Sequence, residues 1–267
     1  MPPVHPFDRA IELEVAGGVV RGTTQPEWAN MVGPFGGITA AILLRAIELQ
    51  PDCLGEPVTL TINFAAPMVD GDFEISCRAP RTNRTNQHWI AEISQNGAVT
   101  TTATAVFGIR RDTWSDTEAV LAQVPPPEHL DRSINEALPD WVRLYDMRFT
   151  EGGVFGAAGQ PGASSTTTLW VRDVAQRPVD YPALAALSDV FIPRVFLRRG
   201  AIPAGTISLT TYFHADAHEL EALGGDFVLG TAHANRFHGG FFDQSAHLWG
   251  RSGALLATST QMVYFKG

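Results

Sequence analysis

The feature that most constrains the fold of this chain is an internal repeat. The segment GAVTTTATAVF begins at Gly97, and the segment GALLATSTQMVYF begins at Gly253. With the two glycines superimposed, the small, apolar and Thr-rich positions stay in register until Gln261 meets Ala105. A second pair of segments, VTLTINF at 58–64 and ISLTTYF at 207–213, shares the alternation of a half-buried strand. The repeat predicts one structural unit built twice.

A helix is predicted before each of these repeated strands. Residues 35–51 read FGGITAAILLRAIELQP, and their apolar side chains cover most of a helical surface, which is typical of a buried helix. Residues 181–197 read YPALAALSDVFIPRVFL, where Pro182 suits a first turn and Pro193 is expected to kink or end the helix. Each half therefore reads as an opening strand, a long helix and further strands.

Turn signals such as Asp70-Gly71 and Ser252-Gly253 divide the rest of each half into four strands. We predict them at about 57–68, 71–80, 86–95 and 97–108, and again at about 205–215, 226–237, 240–250 and 253–265. Each sheet must bury its apolar face on its helix, and pairing of the two units would protect their edges. The predicted fold class is α+β, with two antiparallel sheets that each wrap a long helix and form an intrachain pseudo-dimer.

The domain organisation follows from this repeat. We predict an N-terminal unit at 1–110, a Pro-rich linker at 111–140 and a C-terminal unit at 141–267. With 267 residues, of which 45% are hydrophobic, the chain can bury a substantial core. Its formal charge of -9 leaves no broad basic surface, which disfavours nucleic acid or an anionic membrane as the main partner.

Targeting and metal-binding signals are weak. No stretch reaches the roughly 18 apolar residues of a membrane helix, and the N-terminus does not read as a signal peptide, so a cytoplasmic protein is expected. Cys53 and Cys77 have no CxxC spacing and are interpreted as reduced structural thiols. The HADAH stretch at 214–218 gives an incomplete ligand set, so we predict no metal and no cofactor.

The order of these motifs resembles the double hot-dog acyl-CoA thioesterases, the TesB-like family. The resemblance rests on FGG at 35–37, SD at 188–189, TISLTTYFH at 206–214 and GALLATSTQ at 253–261, and it covers about 11–110 and 140–267. It implies the double hot-dog fold, a role in lipid metabolism and hydrolysis of an acyl-CoA to a free acid and CoA.

The resemblance also implies a catalytic set. Asp189, Thr206 and Gln261 match the family residues that hold the attacking water. The chain departs from the family nearby: Ser208 and Leu209 replace a frequent Asp-His pair, and Ile38 replaces a Gln after the helix glycines. These departures leave the water-holding set complete and the substrate preference open.

The chemistry of thioester hydrolysis suits these residue types. Backbone amides of Gly36 and Gly37 at a helix start could stabilise the oxyanion, Asp189 could act as general base, and an amide such as that of Gln261 can both donate to and accept from a water. Structural alternatives remain: tight packing for the glycines, a paired aspartate, a buried glutamine satisfied by backbone, and an ordinary strand threonine for Thr206.

The first copy lacks these polar groups. Extending the strand match without a gap sets Thr206 on Pro57 and Asp189 on Ala40. Because CoA carries phosphates, an acidic protein that binds it needs local cations. The candidates are arginines that solvated loops would also explain: Arg81, Arg84, Arg198 and Arg199.

Two rival functions stay open at this point. One is a non-catalytic acyl-CoA or acyl-chain binding protein, and the other is a different hot-dog enzyme such as an enoyl-CoA hydratase. The chain has no GxSxG nucleophile elbow, which disfavours an α/β-hydrolase route. A pseudo-dimer can also associate further into a homo-oligomer, edge to edge or through its helices, and the sequence leaves this undecided.

Overall fold

The structure is a computed structural model that describes residues 4–133, 138–153 and 162–267. The first half begins with a short helix and a hairpin, and continues with a long helix and four strands. These elements are α1 (Pro6–Ala10), β1 (Glu14–Ala16), β2 (Val19–Thr23), α2 (Gly36–Glu48), β3 (Glu56–Phe64), β4 (Asp72–Thr82), β5 (Asn86–Gln95) and β6 (Ala98–Gly108).

The second half repeats this order with insertions. Its elements are β7 (Tyr145–Glu151), β8 (Thr167–Asp173), α3 (Tyr181–Leu187), α4 (Arg194–Arg199), β9 (Ala204–Phe213), α5 (Ala217–Leu223), β10 (Val228–His233), β11 (Phe237–His238), β12 (Phe241–Gly250) and β13 (Leu255–Phe265). Short 3₁₀ helices occur at Pro26–Trp28, Pro127–His129 and Asp140–Leu144.

The strands of both halves form one continuous antiparallel sheet across the described residues. The order is β1-β2-β4-β5-β6-β3 in the first half and β9-β13-β12-β10-β8-β7 in the second, so the second half is the mirror order of the first. The halves join where β3 pairs with β9, and the hydroxyls of Thr61 and Thr210 lie 3.0 Å apart at this junction. The predicted pseudo-dimer with a sheet that crosses the junction is confirmed.

The strand register confirms the repeat that was read from the sequence. Ala105 of β6 pairs with Leu60 of β3, and Gln261 of β13 pairs with Leu209 of β9. Since Leu60 and Leu209 are matched positions of the repeated strand, Ala105 and Gln261 occupy equivalent places in the two sheets.

Both copies also carry the same strand irregularity. In the first half the register shifts between Pro57 and Thr59, and in the second half Thr206 pairs with Val263 just after a shift at Met262. A bulge of this kind inserts one extra residue and re-aims the side chains beside it. The match of Thr206 with Pro57 is therefore supported by the pairing on both strands.

The two central helices differ in length. Ten of the thirteen residues of α2 are buried, as the sequence predicts for a helix enclosed by a sheet. The helix predicted at 181–197 is instead divided: α3 ends at Leu187 and α4 begins at Arg194, directly after Pro193. Pro193 supplies no N–H for a preceding turn and disfavours a helical conformation for Ile192, so the chain leaves the helix before it.

The segment between the halves packs against the second unit. Its apolar residues lie on the face of the sheet opposite the main core, against Trp170 and Trp249, and the Trp170 Nε1 donates to the carbonyl of Pro125 at 2.9 Å. The division of the chain at 110/111 and 140/141 remains a prediction. Among the described residues, no helix is both long enough and apolar enough to cross a membrane.

Candidate active site

The start of α2 lies against the end of α3, which brings the two halves together at one point. A Cβ atom on Gly37 would lie 2.5 Å from the carbonyl oxygen of Ala186, so only a glycine permits this approach. A Cβ atom on Gly36 would lie 2.5 Å from the Oδ2 atom of Asp189. Gly37 therefore serves close packing, while Gly36 brings backbone of the first half next to a carboxyl group of the second.

The start of α2 has no side-chain cap. Phe35 occupies the N-cap position, and its side chain cannot accept a hydrogen bond from the first amides of the helix. The Ile38 amide donates to the Phe35 carbonyl, whereas the amides of Gly36 and Gly37 have no acceptor within the helix, and the helix dipole favours negative charge beside them. The N-cap of α3 is different, because the side chain of Asp180 accepts a hydrogen bond from the Ala183 amide. Of the two central helices, α2 is thus the one whose start has no side-chain cap from its own N-cap residue.

Asp189 lies just beyond α3, in the turn that follows Ser188, rather than inside a helix. It is half-buried, and its Oδ1 accepts a hydrogen bond of 2.8 Å from the Gln261 Nε2. Burial raises the pKa of Asp189 from 3.8 to about 7, although hydrogen bonds from Gln261 and from the Gly37 amide act in the opposite direction. A carboxyl group with this pKa can exchange a proton near neutral pH.

Gln261 connects Asp189 to Thr206. The Thr206 hydroxyl donates to the Gln261 Oε1 at 3.2 Å, and the Gln261 Nε2 donates to Asp189. The partners define the amide orientation, because the reverse orientation would place a carbonyl oxygen against the carboxylate. The three residues form a chain of hydrogen bonds in which Thr206 donates to Gln261 and Gln261 donates to Asp189.

All three residues line a cavity of about 720 Å³. Its remaining walls are mainly apolar and come from α4, β7 and the segments that precede α2 and β7. They include Met31, Phe35, Trp141, Met147, Phe149, Phe191 and Phe196. A largely apolar cavity with a few polar groups on one side is typical of a small-molecule site.

The first copy has no equivalent polar chain. Pro57 and Ala105 occupy the places of Thr206 and Gln261. The proposed match of Asp189 with Ala40 fails, because Ala40 lies in the middle of α2 whereas Asp189 lies beyond the end of its helix. The alignment of the two copies without a gap therefore holds for the strands, but it does not extend from the strand to the preceding helix.

The predicted cationic residues separate into two groups. Arg81 and Arg84 are exposed at the hairpin that joins β4 to β5, and four strands lie between β4 and the strand that carries Gln261. Arg198 and Arg199 lie on α4 and line a second cavity of about 500 Å³. Phe196 of the same helix lines the larger cavity, so this second pair lies on a helix that bounds the cavity with Asp189.

Two residues near the site were missed by the sequence reasoning. Arg194 is fully buried and donates to the carbonyl oxygens of Ile192, Ser165 and Ala232, so it fixes the turn after Asp189 to the sheet. Gln244 lines the large cavity and pairs across strands with Gln261. The repeat could have shown Gln244, since the corresponding partner of Ala105 in the first half is Trp89.

Comparisons with known proteins agree with this architecture. The family model of the acyl-CoA thioesterase N-terminal domain matches residues 24–108, and the model of the acyl-CoA thioesterase C-terminal domain matches residues 117–265. The chain belongs to the acyl-CoA thioesterase family. Its resemblance to the TesB-like proteins is thereby confirmed.

Solved structures share the fold of this thioesterase-family chain over its whole length. A conserved hot-dog protein of unknown function from Alicyclobacillus acidocaldarius is 45% identical, with 99% of each chain covered and a TM-score of 0.95. The tesB protein of Mycobacterium avium subs paratuberculosis is 20% identical, with 98% of each chain covered and a TM-score of 0.79.

The acyl-CoA thioesterase II of Mycobacterium marinum is 18% identical, with 97% of this chain and 98% of that chain covered and a TM-score of 0.76. At such identities the two mycobacterial structures show the fold alone. No curated protein gives a match to the chain. The double hot-dog fold is confirmed, and the roles of individual residues remain predictions.

Proposed function

We propose that this chain is an enzyme of lipid metabolism that hydrolyses an acyl-CoA thioester to a free carboxylic acid and CoA by direct attack of water. The observation that carries the proposal is the position of Asp189. Its carboxyl group has a pKa of about 7, faces an apolar cavity and lies beside the uncapped start of α2.

The first step is polarisation of the thioester carbonyl. The amides of Gly36 and Gly37 are the backbone donors that we assign to the carbonyl oxygen, because negative charge develops there in the tetrahedral intermediate. In this structure the Gly37 amide is hydrogen bonded to Asp189. We therefore assign the larger part of carbonyl polarisation to Gly36, with Gly37 also holding the base in place.

The second step is attack by water. Asp189 accepts one proton from the water as the oxygen bonds to the carbonyl carbon, and the carbonyl electrons move onto the oxygen near α2. Collapse of the intermediate breaks the carbon–sulfur bond, and the proton on Asp189 passes to the departing CoA thiolate. One water is consumed, and one carboxylic acid and one thiol are formed.

Gln261 and Thr206 orient the base in this mechanism. Gln261 binds Oδ1 of Asp189, so the second oxygen, Oδ2, remains on the side of Gly36 where the substrate carbonyl is placed. Thr206 donates to Gln261 and so fixes the amide that holds the carboxylate. These contacts favour one geometry of the base before the substrate arrives, which lowers the cost of reorganisation.

The remaining parts of the substrate have separate surroundings. The acyl group fits the mainly apolar cavity of about 720 Å³, and the candidate cations for the CoA phosphates on the helix that bounds it are Arg198 and Arg199. Arg81 and Arg84 do not line the cavity, and three strands lie between β4 and β9, the first strand in the sheet order after β4 that lines it, which does not favour their contact with the same CoA molecule.

The test is release of free thiol from short, long, branched and aromatic acyl-CoAs by the purified protein. We expect release from at least one class and a loss of about a hundredfold or more in the Gln261→Ala variant, since misplacing a catalytic base has effects of this size. Gln95→Ala is the matched control. Gln95 is buried to the same extent as Gln261, but it bonds the backbone of Val69 and Asp72 far from the cavity.

Activity of Gln95→Ala below its melting temperature should equal that of the unchanged protein. Absence of thiol release from every substrate, together with measurable CoA binding, would overturn the hydrolase and favour the non-catalytic binding protein. Hydration of an enoyl-CoA without thiol release would favour the hydratase.

A further inference from the structure

Gln244 is a cavity-lining residue that the proposed mechanism does not use. It lies on β12 directly opposite Gln261 of β13, on the inward face of the sheet with Phe242 and Ala246. Side chains in such directly opposite positions have Cβ atoms about 5 Å apart. Because β13 lies between β9 and β12, the Gln244 amide lies on the side of Gln261 that faces away from Thr206.

The amide of Gln244 has no hydrogen-bond partner in the described part of the chain. Its residue is 2% exposed, and the Nε2 atom is buried without an acceptor. A buried amide without a partner is unfavourable, so a ligand group that forms a hydrogen bond with it would be bound favourably.

The repeat shows that the fold itself does not require an amide here. In the first half, the place of Gln244 is taken by Trp89, which pairs across strands with Ala105. The indole fills this space, and its Nε1 donates to the Gln87 Oε1 at 3.0 Å. The second half has a smaller side chain in the same place, and its amide is left unsatisfied at the wall of the cavity.

We propose that Gln244 is a specificity-determining residue that selects acyl-CoA substrates with a hydroxyl group on the third or fourth carbon of the acyl chain. This inference rests on the proposed hydrolysis of acyl-CoA. A hydroxyl group both donates and accepts, so it satisfies the amide in either orientation. The mainly apolar walls of the cavity suit the carbon chain of such a substrate.

The position on the acyl chain follows from the geometry of the two strands. In the proposed mechanism the reacting carbonyl carbon lies beside Asp189, and the Cβ atom of Gln244 is about 5 Å from that of Gln261. Two atoms that are three bonds apart in an extended chain, such as neighbouring Cα atoms, are about 3.8 Å from each other. The hydrogen bond covers part of the distance, which places the hydroxyl two or three bonds beyond the carbonyl carbon.

The test compares kcat/KM for hexanoyl-CoA, 3-hydroxyhexanoyl-CoA and 4-hydroxyhexanoyl-CoA. We expect the unchanged protein to prefer one of the hydroxylated substrates by about tenfold to a hundredfold, because a site built to bind a hydroxyl rejects the analogue that lacks it. Gln244→Met keeps the length of the side chain and removes its hydrogen bonding. It should abolish this preference and increase the rate with hexanoyl-CoA.

Two further variants control for changes in cavity shape and folding. Phe149→Leu alters the apolar wall and should leave the ratio between hydroxylated and plain substrates unchanged. Gln244→Leu serves as a second replacement if the methionine variant does not fold, which thermal unfolding reports. Thiol release with the same substrate ratio in the unchanged protein and both Gln244 variants overturns the specificity assignment and leaves the hydrolase intact.

Failure of the hydrolase itself gives a different result. If no substrate releases thiol, the affinity of each acyl-CoA is measured by calorimetry with the unchanged protein and with Gln244→Met. A tenfold tighter binding of a hydroxylated acyl-CoA that disappears in the variant supports the recognition role. Equal affinities overturn it.

Discussion

Replacement of Asp189 by Asn should change how the stability of the protein depends on pH. Asp189 is half-buried, and burial raises its pKa from 3.8 to about 7. The stability that the neutral carboxyl group contributes is fully present below pH 3.8 and is lost as the pH rises through 7. At about 1.4 kcal/mol for each unit of pKa, the loss reaches at most about 4 kcal/mol.

Between pH 5 and pH 8.5 this loss amounts to about 2–3 kcal/mol in the unchanged protein, and the asparagine cannot ionise. We measure the free energy of unfolding of both proteins by urea titration with tryptophan fluorescence. The value for Asp189→Asn minus the value for the unchanged protein should therefore increase by this amount from pH 5 to pH 8.5. Catalysis should be lost at the same time. The gain of stability with loss of activity identifies a group that is kept ionisable at a cost to folding.

Glu48 titrates in the same range, because burial raises its pKa to about 7. It lies at the opposite end of α2 from Gly36, so its contribution is the same in both proteins and cancels in the difference. A difference in unfolding free energy between Asp189→Asn and the unchanged protein that stays constant from pH 5 to pH 8.5 would refute the reasoning.

Three other measurements bear on the site. The kcat/KM for thioester hydrolysis should rise with pH, with a midpoint at about 7. Gln261→Ala should move this midpoint upward, because Gln261 stabilises the ionised carboxylate of Asp189. An unchanged midpoint would contradict the role of this hydrogen bond. Gly36→Ala should lower kcat about a hundredfold or more, since the new Cβ atom would lie 2.5 Å from Oδ2 of Asp189. The melting temperature should change little, because alanine favours a helix. A near-normal kcat would show that the carboxyl group can move without loss of activity. Replacement of Arg198 and Arg199 by Ser should raise KM about tenfold and weaken the salt dependence of KM. Both effects should be larger than those of replacing Arg81 and Arg84 by Ser. The opposite ranking would place the CoA phosphates on the first half.

The strand part of the fold could be predicted from the sequence because side-chain alternation and turn residues are local signals. The match of Gln261 with Ala105 also depended only on strand residues, and the pairing with Leu209 and Leu60 supports it. A bulge at the same place in both copies kept Thr206 aligned with Pro57. The alignment of the two copies stayed correct beyond the bulge because both copies contain it.

The limits of the sequence lie where distant elements meet. The apolar spacing of 181–197 predicted a longer helix, but the chain leaves α3 at Leu187, and this turn is what aims Asp189 at the start of α2. Gln244 was overlooked because a glutamine in a strand has no local signature, and its unsatisfied amide is visible only once the cavity is known. The separation of Arg81 from the cavity depends on strand order, which no local pattern contains.

The different starts of the two central helices have a consequence for stoichiometry. Asp180 caps the start of α3 with its own side chain, whereas Phe35 provides no side-chain cap for the start of α2. A symmetric pair of identical hot-dog units would offer two equivalent helix starts, one for each unit. Here a non-hydrolysable acyl-CoA analogue should bind at one equivalent per chain of 267 residues, and calorimetric titration to two equivalents would show that the capped helix can also be opened by a ligand.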